Sequence, residues 1–556
     1  MELDLRKIGR LSVKHAQEIT RLEPLVRNEY NDFIGELIRL NTIKELVWLT
    51  RVTCRNTYIS MIHDRMCRLA LLESLLQSET SLKCIIVDDH AIGEAVSQML
   101  VRYGSDARVD VHCISRAHRF QLLLNLIKSL YFSLNLWFWP KVLSGRPNPK
   151  EPIIYLDNFL LVDNFDATGR LKDRYYPGLI ENLPSEDQKK AWYVPTLHGF
   201  RYPKELIRMF RQVANSETPI LLKEDYLYAF DYLQAILLSV ILPGKISQIP
   251  RWRSINISAI VKDEINLDRG SFALVSAILG FLSFKRFRQK GLNILKVVDW
   301  FENQIVDRAL NLGVKKYYPD VPTKGCLGFV VSGYYAGLSP TQFELEGGSL
   351  PNAIDVIGGD MYIQERRKFC PELPFSAAPA FRFQETMKFK QNPDAEKNIV
   401  LLALPILIDE SREILQLALD TKAEEGTRWV IKHHPAYKRD QFISLLPESK
   451  NKIFELSDKP LADLFQNTRL LVTTASSTCL EAVVSGIPVS ILGSRSGPTL
   501  NPLEGIVDEK YWSVCYTCEH LQEALAHKPP NQPLNVSDYL MDVTPKTVHQ
   551  FMEFNQ

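Results

Sequence analysis

Between residues 428 and 493 the chain reads RWVIKHHPAY and, about forty residues later, RLLVTTASSTCLEAVVSGIPVSILG. No other stretch limits the fold as tightly. The β-branched run over 429–432 predicts a strand that stops at His433, His434 and Pro435. A second predicted strand, 470–474, runs into Ala475, Ser476, Ser477 and Thr478, where a helix begins. Serine and threonine suit a helix start because their hydroxyls accept from the orphan N–H groups of the first turn. Glu481 stands three residues past Thr478, the spacing of a capping box. Gly486, Ile487 and Pro488 then close the helix, and a third strand follows over 489–492.

Strand, turn and helix repeated in this way commit the segment to a parallel α/β sheet, in which ligands bind at the carboxyl ends of the strands. Both motifs lie at such ends. Ser476, Ser477 and Thr478 would offer an anion free N–H groups and the helix dipole. His434 would donate to the same phosphate, with Lys432 or Lys438 as a further cation. One such turn on its own reads equally well as an ordinary capped βα connection. The pair within one α/β domain points to nucleotide binding.

At 556 residues the chain suits two or three domains. A net charge of +1 gives no electrostatic signal for a nucleic-acid partner. The nine cysteines are scattered, mostly in apolar contexts such as Cys84, and suit reduced thiols in a cytoplasmic protein. Cys515 and Cys518 form one CxxC with no second pair, so no zinc site is expected. The first residues lack an apolar run of the secretory kind. Residues 120–143, FQLLLNLIKSLYFSLNLWFWPKVL, are nearly long enough to span a bilayer. Lys128, Asn125 and Asn135 interrupt them and Pro140 breaks them near the end, while Trp137, Phe138 and Trp139, followed by Lys141 and Arg146, suit a membrane interface. Three readings stay open: a buried core helix, a helix on a membrane surface, and a span.

In chain order, residues 1–80 are expected to be helical. A β-α-β rhythm at 84–87, 92–103 and 109–113 opens an expected Rossmann-like domain over 81–385, with the apolar insertion at 120–146. Asp88 and Asp89 at the first strand end face a cleft or are solvated turn carboxylates. Strands are predicted at 153–156, 192–195, 219–222, 295–300, 326–335 and 353–357. Glu224 and Asp225 follow the third of these; Asp225 suits a helix's first turn, and Glu224 is a candidate contact for a hydroxyl-rich acceptor. Residues 374–383 read as the crossing between domains. The second Rossmann-like domain is expected over 395–530, with Asp409 and Glu410 after its first strand. Thr544 and Pro545 open a helix within 531–556 that is expected to pack back on the first domain.

The HP motif followed by S-S/T-x-x-x-E-A-x-x-x-G-x-P resembles the donor-binding domain of bacterial surface-polysaccharide glycosyltransferases of GT-B fold. That group includes the Kdo transferases of capsule and O-antigen, the bacterial polysialyltransferases and the teichoic acid polymerases. The likeness covers about 395–510 and is weaker over 290–385. It implies an α/β GT-B architecture, two Rossmann-like domains facing across a cleft, here with a helical N-terminal region and an apolar helical insertion. It implies a CMP-activated donor, independence of metal and no cofactor. Residues 300–304, WFENQ, are similar to a W-x-E-x-Q element that faces the acceptor, which makes Glu302 the general acid/base candidate; a helix-start glutamate is the alternative. In retaining Kdo transferases an aspartate is proposed as covalent nucleophile, a role that would fall to Asp409, with Glu302 or Glu224 as acid/base. Asp409 reads equally as a helix cap, and Pro405-Ile-Leu-Ile stands where such enzymes often carry a glycine-rich turn.

The expectation is therefore a cytoplasmic glycosyltransferase, peripheral to the inner face of the membrane. It would move a 3-deoxy-ulosonic acid from CMP to a growing lipid-linked glycan of O-antigen or capsule. Lys432, His434, Ser476, Ser477, Thr478 and Glu481 would hold the donor nucleotide. The alternatives are a nucleotide-sugar 2-epimerase and a non-catalytic module of a polysaccharide synthesis complex.

Overall fold

The computed structural model describes residues 1–554 apart from 8, 79–80, 113–117, 144–148, 167, 201, 391, 393–394, 435–453 and 528–533. Strands β1 (Glu2–Asp4), β2 (Cys84–Val87) and β3 (Arg108–Val111) form a parallel sheet of their own. The expected opening strands of the first Rossmann-like domain therefore belong elsewhere. They are claimed by β1, whose three residues are too short to show a pattern, and whose buried Leu3 pairs with Ile85. Helices α1 (Val13–Asn41) and α2 (Ile62–Gln77) pack together beside this sheet. Helix α3 (His90–Tyr103) connects β2 to β3 and is capped by Asp89, whose carboxylate accepts from the N–H groups of Ala91 and Ile92. Asp88 accepts from the Lys7 N–H at 2.7 Å. Both aspartates are thus turn and cap groups.

The next strands are β4 (Ile153–Leu156), β5 (Phe159–Leu160), β6 (Ala191–Tyr193), β7 (Thr196–Leu197), β8 (Ile294–Trp300), β9 (Thr323–Leu327), β10 (Ala353–Val356) and β11 (Phe375–Ala377). Short β5 and β7 pair with each other. The remaining six make one parallel sheet in the order β11-β10-β9-β8-β4-β6. The run predicted as a strand at 219–222 contributes only a bridge between Ile220 and Tyr193. Strand β9 ends at Leu327, and Gly328 just beyond it lies against the Trp300 indole, where a Cβ would come within 2.4 Å of the ring. The helices of this part are α4 (His118–Leu143), α5 (Pro203–Asn215), α6 (Ala229–Ile241), α7 (Ser258–Asp268), α8 (Phe272–Gln289) and α9 (Ile305–Tyr317). Apolar α8 covers the sheet, with Phe284 stacked on Tyr155 at 5.7 Å.

The second domain carries β12 (Ile399–Ala403), β13 (Arg428–Lys432), β14 (Phe454–Leu456), β15 (Thr468–Thr473), β16 (Val489–Leu492) and β17 (Trp512–Cys515), with α10 (Ile408–Asp420) and α11 (Thr478–Val484). Its parallel order, β14-β13-β12-β15-β16-β17, is the doubly wound 3-2-1-4-5-6 pattern. The strand order reverses between β12 and β15; in the first sheet it reverses between β4 and β8. These are the two places where such sheets open a crevice for ligand. The architecture is the two-domain α/β GT-B arrangement with a helical N-terminal region. The terminal helix α12 (Pro545–Met552) lies on the first sheet, where Lys324 donates to the carbonyls of Phe551 and Glu553 and Lys296 to that of Met552.

One buried cluster ties the N-terminal region to the first domain. Glu344 is fully buried between Arg55 and Arg308 and accepts from Arg55 at 2.6 Å, from Arg308, and from the Thr341 hydroxyl at 2.7 Å. Burial alone would raise its pKa, but the two guanidinium groups hold it below the usual glutamate value. Arg55 also donates to Asn31 and to the carbonyls of Ala336 and Ser339, and Arg308 to those of Thr53 and Cys54. Removing one partner of such a cluster leaves uncompensated buried charge. Glu344→Gln is expected to cost about 3–5 kcal/mol of stability, read as a lowered urea midpoint at unchanged m-value.

Candidate active site

At the second-domain crevice, β12 leads into α10. Asp409 stands in the first turn of that helix, exposed and paired with Arg412 at 3.0 Å. The N-cap position is Leu407, so Asp409 caps nothing. Its neighbour Glu410 faces the other way. It is half-buried and its carboxyl is pushed up by burial, against a hydrogen bond with Thr474 just past β15. The Tyr58 ring, packed on Tyr335 at 5.0 Å, lies within electrostatic reach of the same carboxyl. The structure thus brings Glu410, not Asp409, to the crevice.

Beyond β15 the Ser476 hydroxyl accepts from the Thr478 N–H at 3.3 Å and donates to the Thr478 hydroxyl at 3.0 Å. The Ser477 hydroxyl donates to the Val330 carbonyl of the first domain at 3.2 Å, so this turn touches both halves of the molecule. The capping box expected of Thr478 and Glu481 does not form. The helix begins after Ser477, whose own side chain makes no cap, and the Glu481 carboxylate turns away to accept from Thr386 at 2.7 Å. Burial raises its pKa, with Thr386 and Arg382 opposing. A capping carboxylate needs the N–H groups of its own first turn; here the crossing segment offers stronger partners. Lys432 is committed to the carbonyls of Asp458 and Lys459 at 3.1 and 2.8 Å. His434 is half-buried, and burial, then His433, lowers its pKa, so its imidazole is neutral at pH 7. Pro435 and Lys438 lie outside the described residues.

At the first-domain crevice, Glu302 follows β8. Its carboxylate accepts from the Trp300 indole N–H at 3.0 Å and from the Gln304 amide. Burial raises its pKa against both bonds and the Arg382 charge. Arg382 lies over the Trp300 ring at 5.8 Å, and Tyr175 meets the same ring edge-on at 4.9 Å. Arg382 is therefore within electrostatic reach of Glu302 in one domain and Glu481 in the other. It is exposed, and it is the lone cation of the crossing run PFSAAPAFRF. That isolation was a signal available in the sequence, and it went unused.

Beneath Glu302 sits a buried acidic cluster. The β4–β8 register sets Asp157 beside Asp299, and Asp307 reaches up from α9, so that carboxylate oxygens of the three lie within 4.8 Å of one another. Asp307 accepts from the backbone N–H groups of Glu302 and Gln304, both at 2.9 Å, and so fixes the loop that carries Glu302. Asn311 donates to Asp299, and Lys223 stands 3.9 Å from Asp157. Three carboxylates would suit a hard cation, and they would equally hold protons. Glu224 lies one residue beyond Lys223, half-buried in a narrow slot walled by Leu136, Phe200 and Phe272. It is thus near the acidic cluster and apart from the second-domain motifs.

Glu302, Arg382 over the Trp300 indole, and the Ser476–Thr478 turn thus lie where the two domains meet, with Ser477 bonded to Val330 and Arg382 in reach of Glu302 and Glu481. Cationic and N–H donor groups there suit an anion, and the carboxyls suit a hydroxyl. A family model described as capsule polysaccharide biosynthesis protein matches residues 408–498, which include α10, the HP strand and the whole Ser-Ser-Thr motif. No curated protein matches the chain. Among solved structures, the lipopolysaccharide outer core galactosyltransferase WaaB is 12% identical, covering 72% of this chain and 95% of its own, at a TM-score of 0.37. The calicheamicin glycosyltransferase CalG4 is 13% identical, covering 72% and 93%, at 0.36. A UDP-GlcNAc 2-epimerase from Neisseria meningitidis is 10% identical, covering 72% and 99%, at 0.35. The fold assignment rests on the strand orders above, since overall superposition at these scores is loose.

Burial, then Glu302, pushes Asp157 up to about 7, with Lys223 opposing; burial and neighbouring carboxylates raise Asp299 and Asp307 as well. Unfolded aspartates lose their protons near pH ~4. Above that pH the native state still binds protons that the unfolded chain has released, so stability falls as pH rises through about 7. Asp299→Asn is expected to flatten this decline, measured as urea unfolding at acidic and at mildly alkaline pH. Parallel declines in variant and wild type would locate the dependence elsewhere.

Proposed function

We propose that the protein is a glycosyltransferase of surface-polysaccharide synthesis that binds a nucleotide sugar on its second domain and a glycan acceptor on its first. The observation that carries this reading is Arg382, poised over Trp300 within reach of both Glu302 and Glu481. A guanidinium there suits a donor with its own carboxylate beside the phosphate, as in a CMP-activated 3-deoxy-ulosonic acid. The Ser476–Thr478 turn and the neutral His434 would donate to the departing phosphate. The acceptor hydroxyl would pass its proton to Glu302 as its oxygen bonds to the anomeric carbon and the bond to CMP breaks. The Trp300 and Gln304 hydrogen bonds keep Glu302 oriented for that step.

In a double displacement, the carboxylate to attack the anomeric carbon would be Glu410, which lies in the crevice; the exposed Asp409 is paired with Arg412. Glu224, in its slot beside Lys223, would meet the far part of an acceptor. The acceptor is a lipid-linked O-antigen or capsule glycan, the enzyme works from the cytoplasmic side, and neither metal nor cofactor takes part. The family match over 408–498 supports the polysaccharide setting.

A thermal-shift panel of CMP, UDP and GDP tests the donor class. A ligand at a hundred times its dissociation constant adds about 2.7 kcal/mol of apparent stability, and the largest shift is expected with CMP. Glu302→Gln should lower turnover about 10²–10⁴-fold and leave the CMP shift intact. Asp409→Asn should leave turnover near wild type. Full activity in Glu302→Gln would sink the acid/base assignment, and a shift with UDP alone would overturn the donor.

A further inference from the structure

Helix α4 is built inside out. Asn125 and Ser129 face the protein: Asn125 donates to the carbonyls of Leu267 and Arg269 at 3.2 and 2.9 Å, and the Ser129 hydroxyl donates to that of Gly270 at 2.8 Å. Those carbonyls lie at the end of α7, where the chain bends by 66° into α8 and helix carbonyls lack partners of their own. Most of the large apolar residues of α4 face outward, while Leu136 is buried. Leu123, Ile127, Leu130, Leu134 and Phe138 recur at helical spacing and are all exposed, Leu134 to 67%. This rules out a buried core helix. Helix α6 packs against α4 and adds Phe230, Leu233, Leu237 and Ile241, again exposed at helical spacing.

The exposed charge around this face is basic; the half-buried Glu205 of α5 accepts from the Tyr202 N–H at its helix start. Over residues 120–143 helix α4 carries Lys128 and Lys141 and no acidic residue. The single acid of α6, Asp231, is buried against Arg286 at 2.5 Å. Lys141 lies over the Trp137 ring at 4.4 Å, and Arg286 and Lys290 lie over the Tyr228 ring at the start of α6 at 4.6 and 5.8 Å. Helix α5, packed on α4, exposes Lys204, Arg208 and Arg211 at spacings of four and three, along one helix face. Among the described residues no single helix is long and apolar enough to cross a membrane. The bent pair α7–α8 passes by length and composition, but Leu274, Ile278 and Phe281 of α8 are buried in the core.

We infer that the exposed face of α4 and α6 docks on an anionic lipid bilayer, with both helices lying in the plane of the headgroups. An apolar stripe with an aromatic and basic rim is the pattern of an interfacial helix. Two copies of this face would set cation against cation, whereas acidic headgroups complement it. The inference deepens the function proposed above by naming the surface from which a lipid-linked acceptor arrives. Leu136 of α4 walls the slot that ends at Lys223 and Glu224, so the docked face lies beside the acceptor side of the cleft.

The test is cosedimentation of the full chain with phosphatidylcholine vesicles with and without phosphatidylglycerol. Wild type should pellet with the anionic vesicles and release at high salt. Leu134→Glu with Leu237→Glu, both at exposed positions that leave no cavity, should abolish pelleting, and Arg208→Glu with Arg211→Glu should weaken it about tenfold or more. A wild type that stays in the supernatant with every vesicle, or an apolar-face variant that still pellets, overturns the inference. A dimer by light scattering that the same variant dissolves, without vesicle binding, also overturns it. The CMP thermal shift, read on the same proteins, separates the two proposals: vesicle binding without a CMP shift leaves the docking face standing and removes the donor assignment.

Discussion

The buried pairing of Glu344 with Arg55 and Arg308 is the constraint on which the site depends. Two guanidinium groups and one carboxylate sit without solvent, and almost every remaining donor is spent on a backbone carbonyl. Such a cluster is no bargain in free energy, because desolvation offsets most of the attraction. Its effect is geometric. Asn303 is held in the left-handed region at φ 49° by Arg308, which donates to its side-chain oxygen, and by the Gly337 carbonyl, which accepts from its amide. Arg55 is held at φ 54° by the same cluster. Non-glycine residues adopt that conformation only where their surroundings over-determine it. Asn303 follows Glu302 directly, so the N-terminal region, through the cluster that Arg55 joins, helps set the loop carrying Glu302 in a domain it does not belong to.

The two parallel sheets then bring their reversal points together. Each sheet offers its carboxyl edge, and each edge contributes what its local physics favours. The first places carboxyls over a buried acidic cluster, where burial raises their pKa values. The second places a helix start, neutral imidazole and small hydroxyls. Arg382 crosses between them in the connecting segment and faces carboxyls of both. Charge is sorted by this arrangement: an anion is favoured near the cation and the N–H groups, and a neutral hydroxyl near the carboxyls.

Much of this was legible in the residues. The strands expected at 429–432, 470–474 and 489–492 appear at Arg428–Lys432, Thr468–Thr473 and Val489–Leu492, so local chemistry located all three and left the start of the middle one two residues off. Glu302 stood out only through the likeness of WFENQ to a family element; its place at the end of a strand fits a helix-start glutamate equally well. The acidic pair after β12 was also visible, but a one-residue difference in helix phase decides whether Asp409 or Glu410 faces the crevice, and pattern reading does not resolve phase at a helix start. The capping box failed for a related reason: Thr386, far away in sequence, offers Glu481 a buried partner that no local spacing records. Strands β2 and β3 were correctly seen as strands and wrongly given to the large sheet, because a three-residue β1 from the first turn of the chain outcompetes it.

Helix α4 marks the boundary most clearly. Its composition by itself established an amphiphilic segment too interrupted to be a simple span. Composition could not say which side faces inward, since in a globular helix the apolar side is buried by default. The bend between α7 and α8 reverses that default: it leaves buried carbonyls that must be met by Asn125 and Ser129, and the leucines are turned out as a consequence. Local sequence therefore determined the elements, their order and the residue types at the strand ends. Which carboxyl meets which partner, and which helix face meets solvent, was decided by unpaired polar groups elsewhere in the chain, because a buried donor or acceptor must find its match wherever the fold provides one.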